Sequence, residues 1–265
     1  MANSAPDMRL AGMRVLVTRP AGRAKDLLAA LHEQGAATLH IPMLVINELD
    51  AQRDAASIQC NRDRILDLDR YHKLIFISAN AVHYGVNLVE QFWPQWPAQQ
   101  PVLAIGKATA TALADRGLNA IGGDGSMNSE SLLATDELIS VSGERIAIFR
   151  GMGGRETLAD VMRERGASVD YIECYRRCAP RLDRAETLAQ LSGFAPTAAI
   201  VNSGETLENL TALLPPDSAL FDCPLIVPGD RVAALAGNLG YARAIPAANA
   251  GTAATLEALH TLPCV

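Results

Sequence analysis

Small and polar residues recur at the points where predicted strands pass into helices. Six junctions share this composition: Thr18-Arg19-Pro20, Ser78-Ala79-Asn80, Gly106-Lys107-Ala108-Thr109, Arg150-Gly151-Met152-Gly153-Gly154, Asn202-Ser203-Gly204 and Pro228-Gly229-Asp230. In parallel α/β sheets such junctions lie at the carboxyl ends of the strands, where free N–H groups and the helix dipole attract anions. Ordinary capping explains any one of them. Together they predict a site that holds a polyanion largely by backbone amides, including those at Gly154, Gly204 and Gly229.

Three arginines stand at or beside these junctions: Arg19, Arg150 and Arg155. Each could pair with a ligand carboxylate, since guanidinium and carboxylate groups form strong charge-assisted hydrogen bonds. A structural salt bridge is the alternative for each.

No motif for a metal, a cofactor or an activated nucleophile is present. The five histidines fall in no HExxH pattern, and Cys174 and Cys178 have no second Cys/His pair to complete a zinc site. Ser203 lacks the leading glycine of G-x-S-x-G, and the run from Gly151 lacks the spacing of a dinucleotide fingerprint. We therefore expect no metal and no cofactor, and a mechanism that positions a reactive substrate beside a weak acid.

The chain repeats itself. The segment VLVTRPAGRAKDLLAALHEQGAATLHI, from Val15, returns as AIFRGMGGRETLADVMRERGASVDYI, from Ala147. FISANAVHYGVNLV is echoed by AIVNSGETLENLTALL, and LAIGKATATALADRGL by IVPGDRVAALAGNLGY. Two long copies predict two similar α/β domains that face each other across a ligand-binding cleft. Tyr175, which ends the strand after the second copy's helix, is a candidate for the weak acid, and a tyrosine packed at a domain edge is the alternative.

Strand and helix patterns alternate, which indicates parallel sheets. After the first helix we expect one strand over 37–46. The charged stretch 47–70 is interpreted as a linker followed by a surface helix from about Arg62 to Asp69. A glycine-rich and serine-rich loop is expected over 122–131.

Composition limits the partners. A net charge of -6, with five Phe and two Trp, argues against a nucleic-acid surface. No run approaches about 18 apolar residues, and the N-terminus has no signal-peptide pattern, so we expect no membrane partner. Five cysteines, an odd number, suit reduced thiols in a cytoplasmic protein. A two-domain receptor that closes on an anion without chemistry is the competing interpretation. A flavodoxin-like regulatory pair would need an acidic pocket that Thr18-Arg19 does not provide.

Six motifs follow one another along the chain: VLVTRP-x2-R, F-x-S-A-N-A-V, AIGKATATAL-x3-G, G-x-x-N-S-E-S-L-L, FRGMGGRETLADVMRERG-x4-Y-x3-YRR and NSGETLENL. Taken in this order, they resemble uroporphyrinogen-III synthases from about Arg14 to Leu259. The resemblance implies two flavodoxin-like parallel-sheet domains, joined by a two-stranded β linker and separated by the active-site cleft. It places one domain at 1–46 plus 180–265, the other at 54–172, and the linkers at 47–53 and 173–179.

The resemblance also implies a reaction. Hydroxymethylbilane, a linear tetrapyrrole, loses water and closes to uroporphyrinogen III with inversion of ring D, through an azafulvene and a spiro intermediate. No cofactor takes part. The implied partners are this small substrate and, by transient hand-over, hydroxymethylbilane synthase, with the enzyme a cytoplasmic monomer.

Residue by residue, the family's cleft tyrosine falls on Tyr175, the implied proton donor to the leaving hydroxyl. Thr109 matches a threonine that contacts substrate carboxylates. The strand-end positions fall on Ser78 with Asn80 in one copy and on Ser203 with Gly204 in the other. Gly229 is followed by Asp230 where many members have threonine, so the resemblance gives no hydroxyl contact there.

Overall fold

The computed structural model describes residues 8–96, 100–122 and 129–263. Strands and helices alternate along most of this part of the chain. The strands are β1 (Arg14–Val17), β2 (Ala37–His40), β3 (Val45–Glu48), β4 (Lys73–Phe76), β5 (Val102–Ala104), β6 (Ala120–Ile121), β7 (Arg145–Gly151), β8 (Ser168–Cys178), β9 (Ala198–Ile200), β10 (Leu225–Val227) and β11 (Ala244–Pro246).

The helices vary from one turn to more than three. They are α1 (Ala21–Glu33), α2 (Ala55–Leu66), α3 (Ala79–Glu90), α4 (Lys107–Ala114), α5 (Ser129–Leu133), α6 (Asp136–Ile139), α7 (Thr157–Glu164), α8 (Arg184–Phe194), α9 (Gly204–Leu213), α10 (Asp230–Asn238) and α11 (Thr252–His260). Short 3-10 turns occupy Leu68–Arg70 and Ala219–Phe221. In the described ranges no helix is long and apolar enough to cross a membrane.

The chain forms two compact units. The first contains Met1–Val45 and Cys178–Val265, and the second contains Ile46–Arg177. The domain and linker boundaries that the resemblance implies stay predictions.

The first unit is built on a five-stranded sheet with the order β11-β10-β9-β1-β2. All four strand pairs are parallel. Side chains from α8, α9 and α10 pack on one face of the sheet, and side chains from α1 and α11 pack on the other. Both faces are therefore buried, as is usual for parallel sheets.

The second unit has a six-stranded sheet with the order β3-β8-β7-β4-β5-β6. Its pairs from β8 through β6 are parallel, and β3 lies at the edge beside β8. Side chains from α2, α3 and α4 cover one face, and side chains from α5, α6 and α7 cover the other.

The duplicated segments occupy equivalent places in the two sheets. β2, β1, β9, β10 and β11 follow one another in the first sheet as β8, β7, β4, β5 and β6 do in the second. Counted by these equivalents, each sheet has the flavodoxin-like order 2-1-3-4-5. The order reverses between β1 and β9 in the first sheet and between β7 and β4 in the second. Ligands of open α/β folds bind outside the carboxyl ends of the strands at such a point.

Two details of the sequence prediction are wrong. The strand expected over 37–46 is interrupted, because β2 ends at His40 and β3 begins at Val45. Pro42 lies between them and has no N–H for a sheet ladder. The helix expected from Arg62 begins earlier, at Ala55. Its buried residues are Asn61 and Ile65, so the apolar spacing that reveals most helices is missing.

Of the loop predicted over 122–131, residues 123–128 lie outside the described part. Ser129 belongs to α5.

Candidate functional site

A cavity of about 490 Å³ opens in the second unit at the carboxyl ends of its strands. Ile77 follows β4 and Ile105 follows β5, and both line it together with Arg150 and Gly151 from the end of β7. Tyr175 from β8 completes this part of the lining. The cavity therefore lies where β4 meets β7, the point at which the strand order reverses.

A β-bulge sets the direction of Tyr175. The β7–β8 ladder is regular as far as Arg150 opposite Glu173, but the next pair joins Gly151 to Tyr175 and leaves Cys174 without a partner in the register. In a regular strand Cys174 and Tyr175 would face opposite sides of the sheet. Here both pack in the core beneath α3, since the extra residue turns the strand.

Tyr175 is enclosed by polar and aromatic neighbours. Its side chain is 1% exposed, and its hydroxyl lies 3.2 Å from Oγ of Ser78. The ring centroid lies 5.5 Å from that of Tyr84. The backbone is held as well, because the N–H of Met152 donates to the carbonyl of Tyr175 at 2.8 Å. The phenol is therefore fixed at the edge of the cavity.

Ser78 serves two groups at once. It is the N-cap of α3, and its Oγ accepts a hydrogen bond from the N–H of Ala81 at 3.1 Å. The hydroxyl hydrogen of Ser78 is not used by this cap, so it can be donated to the oxygen of Tyr175. In that arrangement the phenolic hydrogen is available for a ligand in the cavity.

Arg150 organises the glycine loop that follows β7. It is 3% exposed, its Nε donates to the carbonyl of Gly151 at 3.2 Å, and its Nη1 donates to the carbonyl of Arg155 at 3.4 Å. Gly154 has φ +100°, and a Cβ there would lie 2.8 Å from Nη2 of Arg150. The left-handed backbone conformation at Gly154 favours glycine, and a side chain there would also displace the end of Arg150.

The cavity lining is predominantly basic although the whole chain is acidic. Arg150, Arg155 and Arg177 line it, against one carboxylate from Glu130. Neither Arg150 nor Arg155 forms an ion pair with a described carboxylate, so the salt-bridge alternative is not observed for them there. Their charges can attract an anionic ligand.

Tyr171 is a cavity residue that the sequence analysis missed. The guanidinium carbons of Arg150 and Arg163 lie 4.4 and 5.5 Å from its ring centroid. Its hydroxyl is buried and has no hydrogen-bond partner in the described part of the chain, and burial raises its pKa. The strand period gave no valid signal for it, because the bulge places Tyr171 and Tyr175 on different faces of the sheet.

The helices at the six junctions differ in whether a side chain caps their N-terminus, and equivalent helices of the two units are alike in this respect. Serine side chains cap α3 and its equivalent α9. No side chain within the described residues caps α1, α4, α7 or α10. Gly106 and Gly229, both with positive φ, precede α4 and α10. The N–H groups of these four first turns lack a side-chain acceptor, which is what an anion site requires.

Four predicted site residues belong to the first unit. Ser203 caps α9, with its Oγ accepting from the N–H of Thr206 at 3.1 Å. Gly204 is buried in the first turn of α9, and Gly229 precedes α10. Asn202, beside Ser203, has a buried Oδ1 with no partner among the residues described. Polar groups therefore gather at the carboxyl end of β9, as the junction pattern predicts.

Arg19, the fourth, follows β1 and is 8% exposed. Its Nη1 lies 3.4 Å from Oγ1 of Thr252, and its Nη2 donates to the carbonyl of Ala250. Burial, and then the charge of Arg23, lower its pKa, while Asp26 raises it. Arg19 forms no ion pair with a carboxylate of the described chain, so the guanidinium is held by neutral oxygens.

Three predicted residues of the second unit are not among those that line its cavity: Ser78, Asn80 and Thr109. Asn80 is half-buried in the first turn of α3. Thr109 is 3% exposed in the first turn of α4, where its N–H donates to the carbonyl of Gly106 at 3.1 Å.

Asp230 of the first unit, at the position where many family members have threonine, is exposed at the start of α10. The described residues include no group of three or more His, Cys, Asp or Glu side chains that could hold a metal ion.

Comparisons with known proteins agree on one family. The model of the family described as uroporphyrinogen-III synthase HemD matches residues 12–257. The uroporphyrinogen-III synthase of Escherichia coli K12 is 34% identical over 252 residues, which is 94% of this chain and 100% of that protein. The Salmonella typhimurium enzyme of the same name is 33% identical, with the same two coverages.

Two solved structures share the fold. The uroporphyrinogen-III synthetase of Helicobacter pylori gives a TM-score of 0.60 at 14% identity, covering 95% of this chain and 100% of that chain. A mutant uroporphyrinogen III synthase of the extremely thermophilic bacterium Thermus thermophilus gives 0.57 at 18% identity, with the same coverages. Since the family match spans most of the chain, this protein belongs to the uroporphyrinogen-III synthase family.

Proposed function

We propose that the cavity of the second unit receives part of the acidic tetrapyrrole on which this family acts, and that Tyr175 protonates the hydroxyl group that leaves. This protein has the activity of its family: it is a uroporphyrinogen-III synthase, a cyclising lyase of tetrapyrrole biosynthesis. The observation that carries the site proposal is the phenol of Tyr175, held beside Ser78 at the edge of a basic cavity.

The reaction requires the protein to supply a proton and to hold the substrate in a conformation that favours the spiro intermediate. The C–O bond of hydroxymethylbilane breaks, the phenolic proton of Tyr175 goes to the departing oxygen, and water, an azafulvenium cation and the Tyr175 phenolate result. A pyrrole carbon then attacks, and the spiro intermediate fragments and closes again. The pyrrole ring that closes the macrocycle loses a proton from its attacking carbon as it regains aromaticity, and that proton restores the phenol.

Hydrogen bonding supports this role for the phenol. After donation, the phenolate oxygen can accept a hydrogen bond from Ser78, whose Oγ lies 3.2 Å away. Ser78 is also the N-cap of α3, so the positive end of the helix dipole lies near the developing charge. The hydrogen bond and the helix dipole both stabilise the phenolate of Tyr175 while the hydroxyl group leaves the substrate.

Substrate binding relies on several modest contacts. Each pyrrole carries an acetate and a propionate. Arg150 and Arg155 line the cavity, and neither guanidinium group is paired with a carboxylate of the described residues. The uncapped first turns of α4 and α7 offer N–H groups in the same unit. Thr109 and Asn80 lie in the first turns of α4 and α3, and we keep them, with Gly154, as proposed contacts. In the first unit the proposed contacts are Arg19, Ser203, Gly204 and Gly229.

The decisive experiment measures both rate and product. Freshly generated hydroxymethylbilane is given to the wild type and to Tyr175→Phe, and isomers III and I are separated and quantified. We expect the variant to turn over about 100-fold more slowly, the usual contribution of a general acid, with nearly unchanged product affinity. Near-wild-type turnover of the variant at saturating substrate would remove the acid role. Binding without any isomer III from the wild type would favour a receptor instead.

We further propose a cytoplasmic monomer that takes its substrate directly from hydroxymethylbilane synthase. The substrate closes spontaneously to the wrong isomer, so a short transfer protects the yield. Cys60, Cys174, Cys178 and Cys223 are free thiols, which suits a reducing compartment. Sedimentation velocity tests the monomer. A coupled assay, in which an inactive variant of this protein competes for the substrate, tests the hand-over.

A further inference from the structure

Gly151 lies against the ring of Tyr175 more closely than any side chain would allow. A Cβ built on Gly151 would meet Cε2 of Tyr175 at 2.5 Å, Cζ at 2.7 Å and Cδ2 at 3.1 Å. Carbon atoms in contact normally lie about 3.5–4.0 Å apart. The φ of Gly151 lies outside the left-handed region, so the backbone conformation does not demand glycine. What demands it is the tyrosine ring.

The ring of Tyr175 is buried in the core of the second unit. Tyr175 is 1% exposed and packs among the core residues beneath α3, with the ring of Tyr84 at 5.5 Å. The bulge between Arg150 and Gly151 brings the two residues opposite each other. Because Cζ carries the hydroxyl, a shift of the ring that relieves the contact also moves the phenolic oxygen, which now lies 3.2 Å from Oγ of Ser78.

We propose that Gly151 is a positioning residue for the reaction, whose missing side chain lets the phenol of Tyr175 reach its place beside Ser78 and the cavity. This inference rests on the proposed function, because it assumes that the phenol of Tyr175 acts in the reaction. A displacement of about 1 Å is enough to lower a rate about 100-fold when a catalytic group must meet a bound substrate.

The test is a double-mutant cycle of Gly151→Ala and Tyr175→Phe. The phenylalanine ring keeps the carbon atoms that the alanine would meet, so the steric contact is present in both backgrounds, but only one background has a phenol. We expect Gly151→Ala to lower kcat about 10- to 100-fold in the wild type, with KM changed less than about threefold. In the Tyr175→Phe background the same substitution should lower kcat less than about threefold.

Gly85→Ala is the matched control. Gly85 lies in α3 in the same core, and a Cβ there would meet Cδ1 of Phe149 at 2.7 Å and Sγ of Cys174 at 3.2 Å, with no Tyr175 atom among its nearest neighbours. It should lower the melting temperature as Gly151→Ala does while keeping most of kcat. The melting temperatures and far-ultraviolet circular dichroism of all variants show whether each one is folded.

Five outcomes of these measurements support or overturn the proposal. Loss of kcat that is confined to the chain with a phenol supports the proposal. Equal losses in both backgrounds, or a loss of kcat in Gly85→Ala as large as in Gly151→Ala, would show a general packing effect and overturn it. Wild-type kcat for folded Gly151→Ala would also overturn it, while Tyr175→Phe could still be inactive. If Tyr175→Phe alone retains full turnover, the proposed function of the phenol fails, whatever Gly151→Ala does.

Discussion

The hydroxyl of Tyr175 and Oγ of Ser78 lie 3.2 Å apart although 97 positions separate them in the chain. The two groups come from β8 and from the N-cap of α3, and their contact stands at the edge of the basic cavity. It joins a candidate acid to a group that can orient it.

Ser78→Ala should slow turnover about 10-fold, less than Tyr175→Phe, because the phenol stays but loses its orienting partner. It should also cost about 1 kcal/mol of stability through the lost helix cap. Ser203→Ala removes a cap of the same geometry from α9 and calibrates that stability loss. Turnover and urea unfolding check both parts. An unchanged kcat for Ser78→Ala would mean that the serine acts only as a cap.

Arg150→Gln and Arg155→Gln should both raise KM, but only Arg150→Gln should lower the melting temperature. Arg155 is exposed, so its loss should raise KM about fivefold, equivalent to about 1 kcal/mol, and leave the melting temperature unchanged. Arg150 is buried and holds the glycine loop, so its loss should raise KM and also lower the melting temperature. Both KM effects should shrink at high salt, because screening weakens charge contacts. Equal melting temperatures for the two variants would contradict the loop role of Arg150.

Tyr171→Phe should leave stability unchanged or raise it. The hydroxyl of Tyr171 is buried and lacks a partner in the described chain, a state that costs about 1–3 kcal/mol. Tyr241→Phe is the matched control, since the hydroxyl of Tyr241 lies 3.2 Å from Oγ1 of Thr211 and its loss should destabilise. If the substrate supplies the missing partner of Tyr171, KM should rise for Tyr171→Phe. A clear drop in melting temperature for that variant would contradict this account of its hydroxyl.

Acid should remove the stabilisation that Asp54 provides. The side chain of Arg176, and then the N–H of Asp50, donate to this carboxylate and hold its pKa below the ordinary 3.8. A depressed pKa stabilises the folded chain fully above about pH 4, and the contribution disappears as the pH falls through the lowered value. Asp54→Asn should therefore melt below the wild type at pH 7, and the gap should narrow in acid. Exposed Asp217, with no ion pair in the described residues, supplies the control Asp217→Asn, which should melt like the wild type at pH 7.

The two parallel sheets could be predicted from the sequence alone. The internal repeat predicted two equivalent parallel sheets, because a repeated pattern of apolar strands, helices and junction glycines can bury its surface only in a repeated way. Gly106 and Gly229 occupy equivalent helix starts with positive φ. Tyr175 was selected from the sequence as a site residue and lies in the lining of the cavity, and its catalytic role stays a prediction.

Other features depended on the tertiary structure. A strand pattern has a period of two, so by sequence Tyr171 and Tyr175 share one face of β8. The bulge at Gly151 breaks this period and turns Tyr175 toward the core under α3, where Ser78 meets it. The start of α2 was missed because its buried face contains Asn61, whose amide is satisfied by the backbone of Glu173. Such features depend on contacts between residues that are distant in the chain, so they cannot be predicted from the local spacing of residue types.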